Sequence, residues 1–269
     1  MGVRLGCNTV VFAGHAAGEA LQWVAWAGFA GVEFASIPGM AVHVDPDAEA
    51  EAVGLAEQAR RMGLQTVSIE AATNLFDAAA RERVYGVFRL ARRMGVPIVT
   101  TGSAGSATAE SFDAFVPLAR EVAARAAAAG VVWACKPHVG AAVWSTDTAL
   151  RLVSAADSPA LRLNYDPTHL QRVGEDPVVA ATRLAPHLAH VHLRDYDSPD
   201  QRIGPPECQT AGRGIVDLHA VMRALQTAGY AGFVDLEVIG TAGWDPVRQM
   251  AIAAASCGYL SRLLREVTV

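Results

Sequence analysis

Charged and polar side chains stand at or near the ends of several short apolar segments of this chain. The six that could do chemistry are Glu70, Lys136, Asp166, His192, Arg194 and Glu237. Charged groups inside apolar segments cost free energy unless they meet partners or a ligand. Carboxylates, an imidazole and an amine held close together can transfer protons. These residues therefore predict a site for acid–base chemistry.

Side-chain alternation places these residues in groups, because residues two apart in a strand share a face. The groups are Asn164 with Asp166, His190 with His192 and Arg194, and Asp235 with Glu237. We expect His190 to lie one layer deeper than His192, as a core histidine bonded to a carboxylate. Glu33 and Asn8 are weaker candidates for the rim of the site.

The elements that must position these groups alternate regularly along the chain. Strands are predicted at 3–9, 31–35, 64–70, 96–102, 131–136, 161–166, 188–194 and 233–239. Helices are predicted at 16–28, 46–62, 77–94, 110–129, 145–156, 175–186, 215–228 and 245–266. Eight strand–helix units in about 250 residues predict a (β/α)8 TIM barrel. The rival, a doubly wound open sheet, is disfavoured because GCNTVVFAG replaces a GxGxxG turn after the first strand.

Composition narrows the class of protein. The 269 residues are 52% hydrophobic and carry a net charge of −5, which disfavours nucleic-acid or anionic-membrane partners. No apolar run is long enough to span a bilayer, and no signal peptide is evident. The four cysteines are widely separated, as is typical of reduced thiols. We expect a cytoplasmic protein with one domain over residues 1–269.

Four motifs give the chain a recognisable pattern. They are NYDPTHL at 164–170, HVHLRDYD at 190–197, GRGIVD at 212–217 and VDLEV at 234–238. In this order they resemble the sugar-phosphate isomerase/epimerase superfamily of xylose-isomerase-like TIM barrels. The resemblance implies a small sugar-like or hydroxy-carbonyl substrate and a homodimer. It also implies one divalent metal (Mn, Mg or Zn), held by a strand-five Glu together with Asp166, His192 and Glu237, with His169 contacting the substrate.

The strand-five position departs from that pattern. Where the family typically has Glu-Pro-His, this chain reads Lys136-Pro137-His138, and Lys136 is its single lysine against 21 arginines. An ammonium and a divalent ion about 4 Å apart would repel by roughly 8 kcal/mol at an effective dielectric constant of 20. We therefore expect Lys136 to replace the metal, to pair with Asp166 and Glu237, and to leave the protein without a required cofactor. Should a metal bind, its expected ligands are Asp166, His192 and Glu237.

The lysine at this position changes the role that we expect of each residue in the site. The predicted catalytic residues are Lys136, Glu237, Asp166 and His192, and the predicted substrate-binding residues are His138, His169, Arg194 and Glu70. An isomerase or epimerase would use Glu237 as the base and Lys136 to polarise the substrate oxygen. The alternatives are a metal-free lyase, dehydratase or cyclase, in which Lys136 is a base or Schiff-base amine, and a non-catalytic ligand-binding barrel. The irregular segment 198–213 could close over the site as a lid.

Overall fold

A closed barrel of eight parallel strands forms the centre of the molecule. In the computed structural model, which describes residues 2–198 and 202–267, each barrel strand is hydrogen-bonded to the barrel strands before and after it in the sequence, and pairing of the first strand with the last closes the ring. Helices follow the strands and cover the outside of the barrel. The TIM barrel predicted from the sequence is confirmed. None of the helices within those two ranges has the length and hydrophobicity that a membrane span requires.

The elements match the predicted series closely. The strands are β1 Arg4–Asn8, β2 Gly31–Ile37, β3 Ala41–Val42, β4 Gln65–Glu70, β5 Ile98–Thr101, β6 Val132–Cys135, β7 Leu161–Tyr165, β8 Leu188–Leu193 and β9 Phe233–Leu236. The longer helices are α1 Ala17–Ala27, α2 Glu49–Arg61, α3 Ala78–Met94, α4 Ala109–Ala129, α5 Thr146–Ala156, α7 Pro177–Leu184, α8 Leu218–Thr227 and α9 Pro246–Val267. A short helix, α6 Pro167–Gln171, begins directly after β7.

Local signals account for the helix ends. Asp77 caps α3 by accepting a hydrogen bond from the Ala80 amide at 2.7 Å. The same helix ends at Gly95, which has φ +71°, a left-handed conformation that glycine adopts without a Cβ clash. Each such end returns the chain to the bottom of the barrel, where the next strand starts.

The β2–β3 hairpin was not predicted. β3 is antiparallel to β2, with Ser36 opposite Val42 and Ile37 opposite Ala41. The turn between them carries Gly39 at φ +81° and Met40 at its tip. A two-residue strand is too short to give a periodic sequence signal. The hairpin extends β2 beyond the barrel rim and so raises one wall of the site.

The barrel interior is unusually polar. Side chains inside TIM barrels are mostly Val, Ile and Leu, yet Asn8, Glu33, His190, His192 and Asp235 are all fully buried here. Strand register sets them side by side, because Asn8 pairs with Glu33 across β1–β2 and His192 pairs with Asp235 across β8–β9. The barrel is therefore built around a buried hydrogen-bond network that leads to its carboxyl-terminal rim.

Candidate active site

Lys136 lies at the centre of the site. It follows β6, and its backbone amide extends the ladder by donating to the Thr101 carbonyl at 2.7 Å. The buried side chain places Nζ 2.8 Å from Glu237 Oε1, 3.1 Å from His192 Nδ1 and 3.3 Å from Glu70 Oε1. An ammonium has three N–H donors and no acceptor. All three donors are therefore directed at protein groups.

These contacts keep the amine protonated. Burial alone would favour the neutral amine, but Glu237 and Glu70 outweigh it and raise the pKa of Lys136 above its ordinary value. The proximity of Lys136, His192, Glu237 and Glu70, predicted from their places at strand ends, is present in the structure.

The predicted ion pair between Lys136 and Asp166 is wrong. Asp166 Oδ2 pairs with Arg194 Nη2 at 3.1 Å. Its Oδ1 accepts from the Thr168 amide at 2.9 Å and the Thr168 hydroxyl at 2.6 Å. Asp166 is the N-cap of α6, and this role turns its carboxylate toward the helix and Arg194. The second carboxylate on Lys136 is Glu70, which the sequence predicts only as a substrate contact.

Arg194 is a second buried cation in the site. Besides Asp166, its Nη2 donates to His169 Nε2 at 2.9 Å, and burial lowers the pKa of His169 well below its ordinary value, so this imidazole is a neutral acceptor. Arg194 Nη1 lies 3.2 Å from Glu237 Oε2. Within the described part of the chain, neither of these two atoms has a hydrogen-bond partner. The two atoms form a buried ion pair with each other and accept or donate no hydrogen bond among these residues.

A carboxylate in the layer below orients His192. Glu33 Oε2 lies 2.6 Å from His192 Nε2, while Lys136 Nζ and the Asn164 amide nitrogen, at 3.2 Å, both approach Nδ1. Burial opposes the charge of this imidazole, but Glu33 and Glu237 outweigh it and raise the pKa of His192 well above its ordinary value. Glu33 therefore orients the ring and favours a proton on the nitrogen that faces it.

Asn8 connects this layer to the site above. Its Nδ2 donates to Glu33 Oε2 at 2.7 Å and to Glu70 Oε2 at 2.6 Å. With Lys136 on Oε1, both oxygens of Glu70 are occupied. Burial, opposed by Lys136, raises the pKa of Glu70 to about 7. The sequence signals for Asn8 and Glu33 were single polar residues in apolar strands, which do not reveal these partners.

His190 and Asp235 form the deepest part of the network. His190 Nε2 lies 3.4 Å from Glu33 Oε1 and 3.5 Å from Asp235 Oδ2, as expected of a core histidine beside carboxylates. Neither Asp235 oxygen has a hydrogen-bond partner among the described residues. Burial, opposed by His190, raises the pKa of Asp235 to about 7.

Replacing Asp235 with Asn is expected to flatten the dependence of stability on pH. The raised pKa means that this carboxyl stabilises the fold below its ordinary pKa, and that the contribution is lost as pH rises through about 7. Asn keeps the shape and has no charge to acquire. Between about pH 5 and about pH 8 the variant should gain about 3 kcal/mol relative to the unsubstituted protein, measured by urea unfolding. The exposed Asp113→Asn is the control, and an unchanged pH profile of Asp235→Asn would contradict this reading of the network.

A cavity of about 240 Å³ opens above Lys136 at the carboxyl-terminal rim. Its polar lining residues are Glu70, Thr73, Lys136, His138, His169, Arg194 and Glu237. His138 and His169 stack with their ring centres 3.9 Å apart. The predicted residues Asp166 and His192 lie behind this lining and act on the residues in it. Of the predicted lid, residues 199–201 lie outside the described residues, and 202–213 contain none of the cavity lining.

Comparison with known proteins places the chain in a family. Residues 21–262 match the family described as xylose isomerase-like TIM barrel. The chain belongs to the xylose isomerase-like TIM barrels. The resemblance noted from the motifs is thereby confirmed.

Individual relatives in this family are distant. The inosose dehydratase of Geobacillus thermodenitrificans is 27% identical over 142 residues, which cover 48% of this chain and 48% of that protein. The chain thus aligns with about half the length of that curated relative. A xylose isomerase domain protein from Planctomyces limnophilus has a TM-score of 0.82 at 19% identity and covers 100% and 99% of the two chains. An L-ribulose 3-epimerase has a TM-score of 0.76 at 19% identity, with 100% and 96% covered.

The metal that this family resemblance implies does not fit the residues present. Near the rim, Glu70, His192 and Glu237 bring ligand atoms within 4.8 Å of one another, but the Lys136 ammonium contacts all three. The expected fallback set of Asp166, His192 and Glu237 is a different group, because Asp166 is paired with Arg194. A divalent ion here would lie against one fixed ammonium and close to a guanidinium.

Proposed function

We propose that this protein is an acid–base enzyme that moves a proton next to the carbonyl of a small hydroxy-carbonyl or sugar-like substrate, without a metal ion. The observation that carries the proposal is the enclosure of the Lys136 ammonium by protein groups. Its Nζ lies 2.8 Å from Glu237, 3.1 Å from His192 and 3.3 Å from Glu70. The ammonium thus occupies the position among these ligand atoms that a cation would need. It supplies fixed positive charge and holds the base in place.

Glu237 is the proposed base. Although burial opposes its charge, Arg194 and Lys136 lower its pKa well below the ordinary value, so it is ionised at neutral pH. Oε1 is held by Lys136, and Oε2, which belongs to a residue of the cavity lining, has no hydrogen-bond partner in the described part of the chain. A weakly basic carboxylate can still remove a carbon-bound proton when the resulting enolate is stabilised.

Arg194 is the group proposed to stabilise the enolate. The sequence analysis predicted this role for Lys136, but each N–H of that ammonium is already directed at a protein group. Arg194 Nη1 is unpartnered among the described residues and lies 3.2 Å from the proposed basic oxygen. A substrate bound here would present its acidic carbon to Glu237 Oε2 and its carbonyl oxygen to Nη1. The developing negative charge then forms beside a fixed cation.

The fate of the enolate distinguishes two reaction classes. Return of the proton to the other face of the same carbon gives epimerisation. Its return to the adjacent carbon, with a proton moving between the two oxygens, gives isomerisation. Loss of a β-hydroxyl, which takes up the abstracted proton and leaves as water, gives dehydration. Similarity to an L-ribulose 3-epimerase and to an inosose dehydratase supports both. The isomerase or epimerase remains the first proposal. Schiff-base chemistry is disfavoured because Glu237 and Glu70 keep Lys136 protonated.

Metal analysis tests the proposal directly. Purified protein is expected to carry well under one divalent ion per chain by elemental mass spectrometry. Chelator is expected to change neither its unfolding temperature nor its ability to exchange the α-proton of a ketol for solvent deuterium. About one tightly held ion per chain, with loss of exchange on chelation, would overturn metal independence.

A further inference from the structure

The cavity above Lys136 has an aliphatic as well as a polar lining. Besides Gly102, its apolar lining residues are Ile37, Met40, Ala72, Ala104, Ala141 and Ile239. Ile37 and Met40 belong to the hairpin that raises the rim, and Ile239 follows β9. A ligand that reaches the floor must therefore lie against an aliphatic surface.

Few polar atoms of the lining are available to a ligand. The donors of Lys136 and both oxygens of Glu70 are used within the protein. Within the described residues that line the cavity, Arg194 Nη1 and Glu237 Oε2 are buried without a hydrogen-bond partner and are ion-paired with each other at 3.2 Å. His138 Nδ1 lies 2.8 Å from the Val139 carbonyl oxygen, and a carbonyl accepts only, so Nδ1 carries the proton and Nε2 is left as an acceptor. One donor and two acceptors, beside the Thr73 hydroxyl, suit one carbonyl and an adjacent hydroxyl.

The charges of the lining also constrain the ligand. Lys136 and Arg194 are the cationic side chains that line the cavity in the described part of the chain, and both are paired with carboxylates, Lys136 with Glu237 and Glu70, and Arg194 with Glu237 and Asp166. No net positive charge is left over for a phosphate dianion. A phosphorylated sugar would also place most of its hydroxyl groups against the aliphatic wall, where they lose their hydrogen bonds to water.

Building on the proposed function, we propose that the substrate is an uncharged ketol with an apolar body, and that it is neither a free polyhydroxylated sugar nor a sugar phosphate. The ketol carbonyl lies at Arg194 and its acidic carbon at Glu237. The hydrocarbon part contacts Ile37, Met40 and Ile239. Specificity within the fold thus comes from the aliphatic residues of the rim, Ile37 and Met40 of the hairpin and Ile239 after β9.

A comparison of three probes tests the ligand class. Dissociation constants are measured by ligand-observed NMR for α-hydroxycyclohexanone, fructose and dihydroxyacetone phosphate. The ketol with the hydrocarbon ring is expected to bind about tenfold to a hundredfold more tightly than either of the others. Equal binding of all three, no measurable binding of any, or tighter binding of fructose or the phosphate would overturn the inference.

A polar substitution in the wall provides the second test. Met40→Gln keeps the side-chain length at a partly exposed position (42% exposed), and it should reduce the preference for α-hydroxycyclohexanone over fructose about tenfold. Met62→Gln, at a position 37% exposed and outside the cavity, is the matched control and should leave the preference unchanged. An unchanged preference in Met40→Gln would count against the hairpin as the apolar wall.

The outcomes separate this inference from the proposed function. Deuterium exchange into fructose without preference for the ring ketol would overturn the inference and leave the acid–base function intact. Preference for the ring ketol without exchange into any probe would support the inference and contradict the function.

Discussion

Lys136→Glu is expected to turn this protein into one that binds a divalent ion tightly. The substitution removes the ammonium that contacts Glu70, His192 and Glu237 and adds a carboxylate at the same place. The charge of the cluster falls by two, which a divalent cation restores. We expect about one Mn²⁺ or Zn²⁺ per chain by elemental analysis. At a free ion concentration of 100 times the dissociation constant, the ion should stabilise the fold by about 2.7 kcal/mol.

The control for this experiment is Lys136→Met, which removes the charge and supplies no ligand oxygen. It leaves Glu70 without its cation and Glu237 with Arg194 alone, and breaking a buried pair in this way costs about 3–5 kcal/mol. We expect Lys136→Met to unfold at lower urea concentration and to bind no stoichiometric ion. If folded Lys136→Glu bound no ion, the cluster would not be a cation site in which lysine has replaced the metal.

The order of the elements and the ends of the strands could be predicted because they depend on local patterns. Short apolar strands, amphipathic helices and glycine at helix ends are all read within about twenty residues. Side-chain alternation then placed His192 and Glu237 on inward faces, and both are buried in the barrel. Barrel closure brings the carboxyl ends of all the strands to one rim. The number of predicted strands, which indicated a closed barrel, was therefore enough to predict that these side chains lie close together.

The partner of each charge could not be predicted, because that depends on rotamers and on distances across the barrel. Asp166 and Glu70 are both strand-end carboxylates, yet the capping of α6 turns Asp166 toward Arg194. The Asn8 amide, two strands from Glu70 around the ring, turns Glu70 toward Lys136. Neither orientation leaves a periodic sequence signal. The same holds for Arg194, whose pairing with both Asp166 and Glu237 depends on distances across the barrel.

The site contains two buried cations, Lys136 and Arg194, and their contacts differ. The Lys136 ammonium is enclosed by protein groups, and its contacts fix the positions of Glu237, His192 and Glu70. Arg194 lines the cavity, and its Nη1 has no hydrogen-bond partner among the described residues. A metal ion can hold its ligands and polarise a substrate oxygen at one point. Under the proposed function these two tasks are divided between Lys136 and Arg194, and the ion pair of Arg194 Nη1 with Glu237 Oε2, 3.2 Å apart, marks where the reacting carbon and oxygen of a substrate would lie.

Glu237→Gln is expected to reduce deuterium exchange into α-hydroxycyclohexanone by about 10²- to 10⁴-fold, the usual contribution of a general base. Gln keeps the length of the side chain but cannot accept a proton from carbon at neutral pH. The rate is followed by the loss of the α-proton NMR signal in heavy water. Circular dichroism and urea unfolding verify that the variant is folded, because Lys136 and Arg194 each lose one carboxylate partner.

Glu70→Gln separates loss of the base from loss of charge beside Lys136. Glu70 also pairs with Lys136 and also lines the cavity, but its two oxygens are occupied by Lys136 and Asn8. Glu70 has no oxygen available for substrate. We therefore expect the deuterium exchange rate of Glu70→Gln to fall by no more than about tenfold, well below the effect of a lost base. Equal losses in the two variants would show that the charge balance around the ammonium, rather than a base at Glu237, controls the reaction. A larger loss in Glu70→Gln would move the base to Glu70, on the opposite side of Lys136.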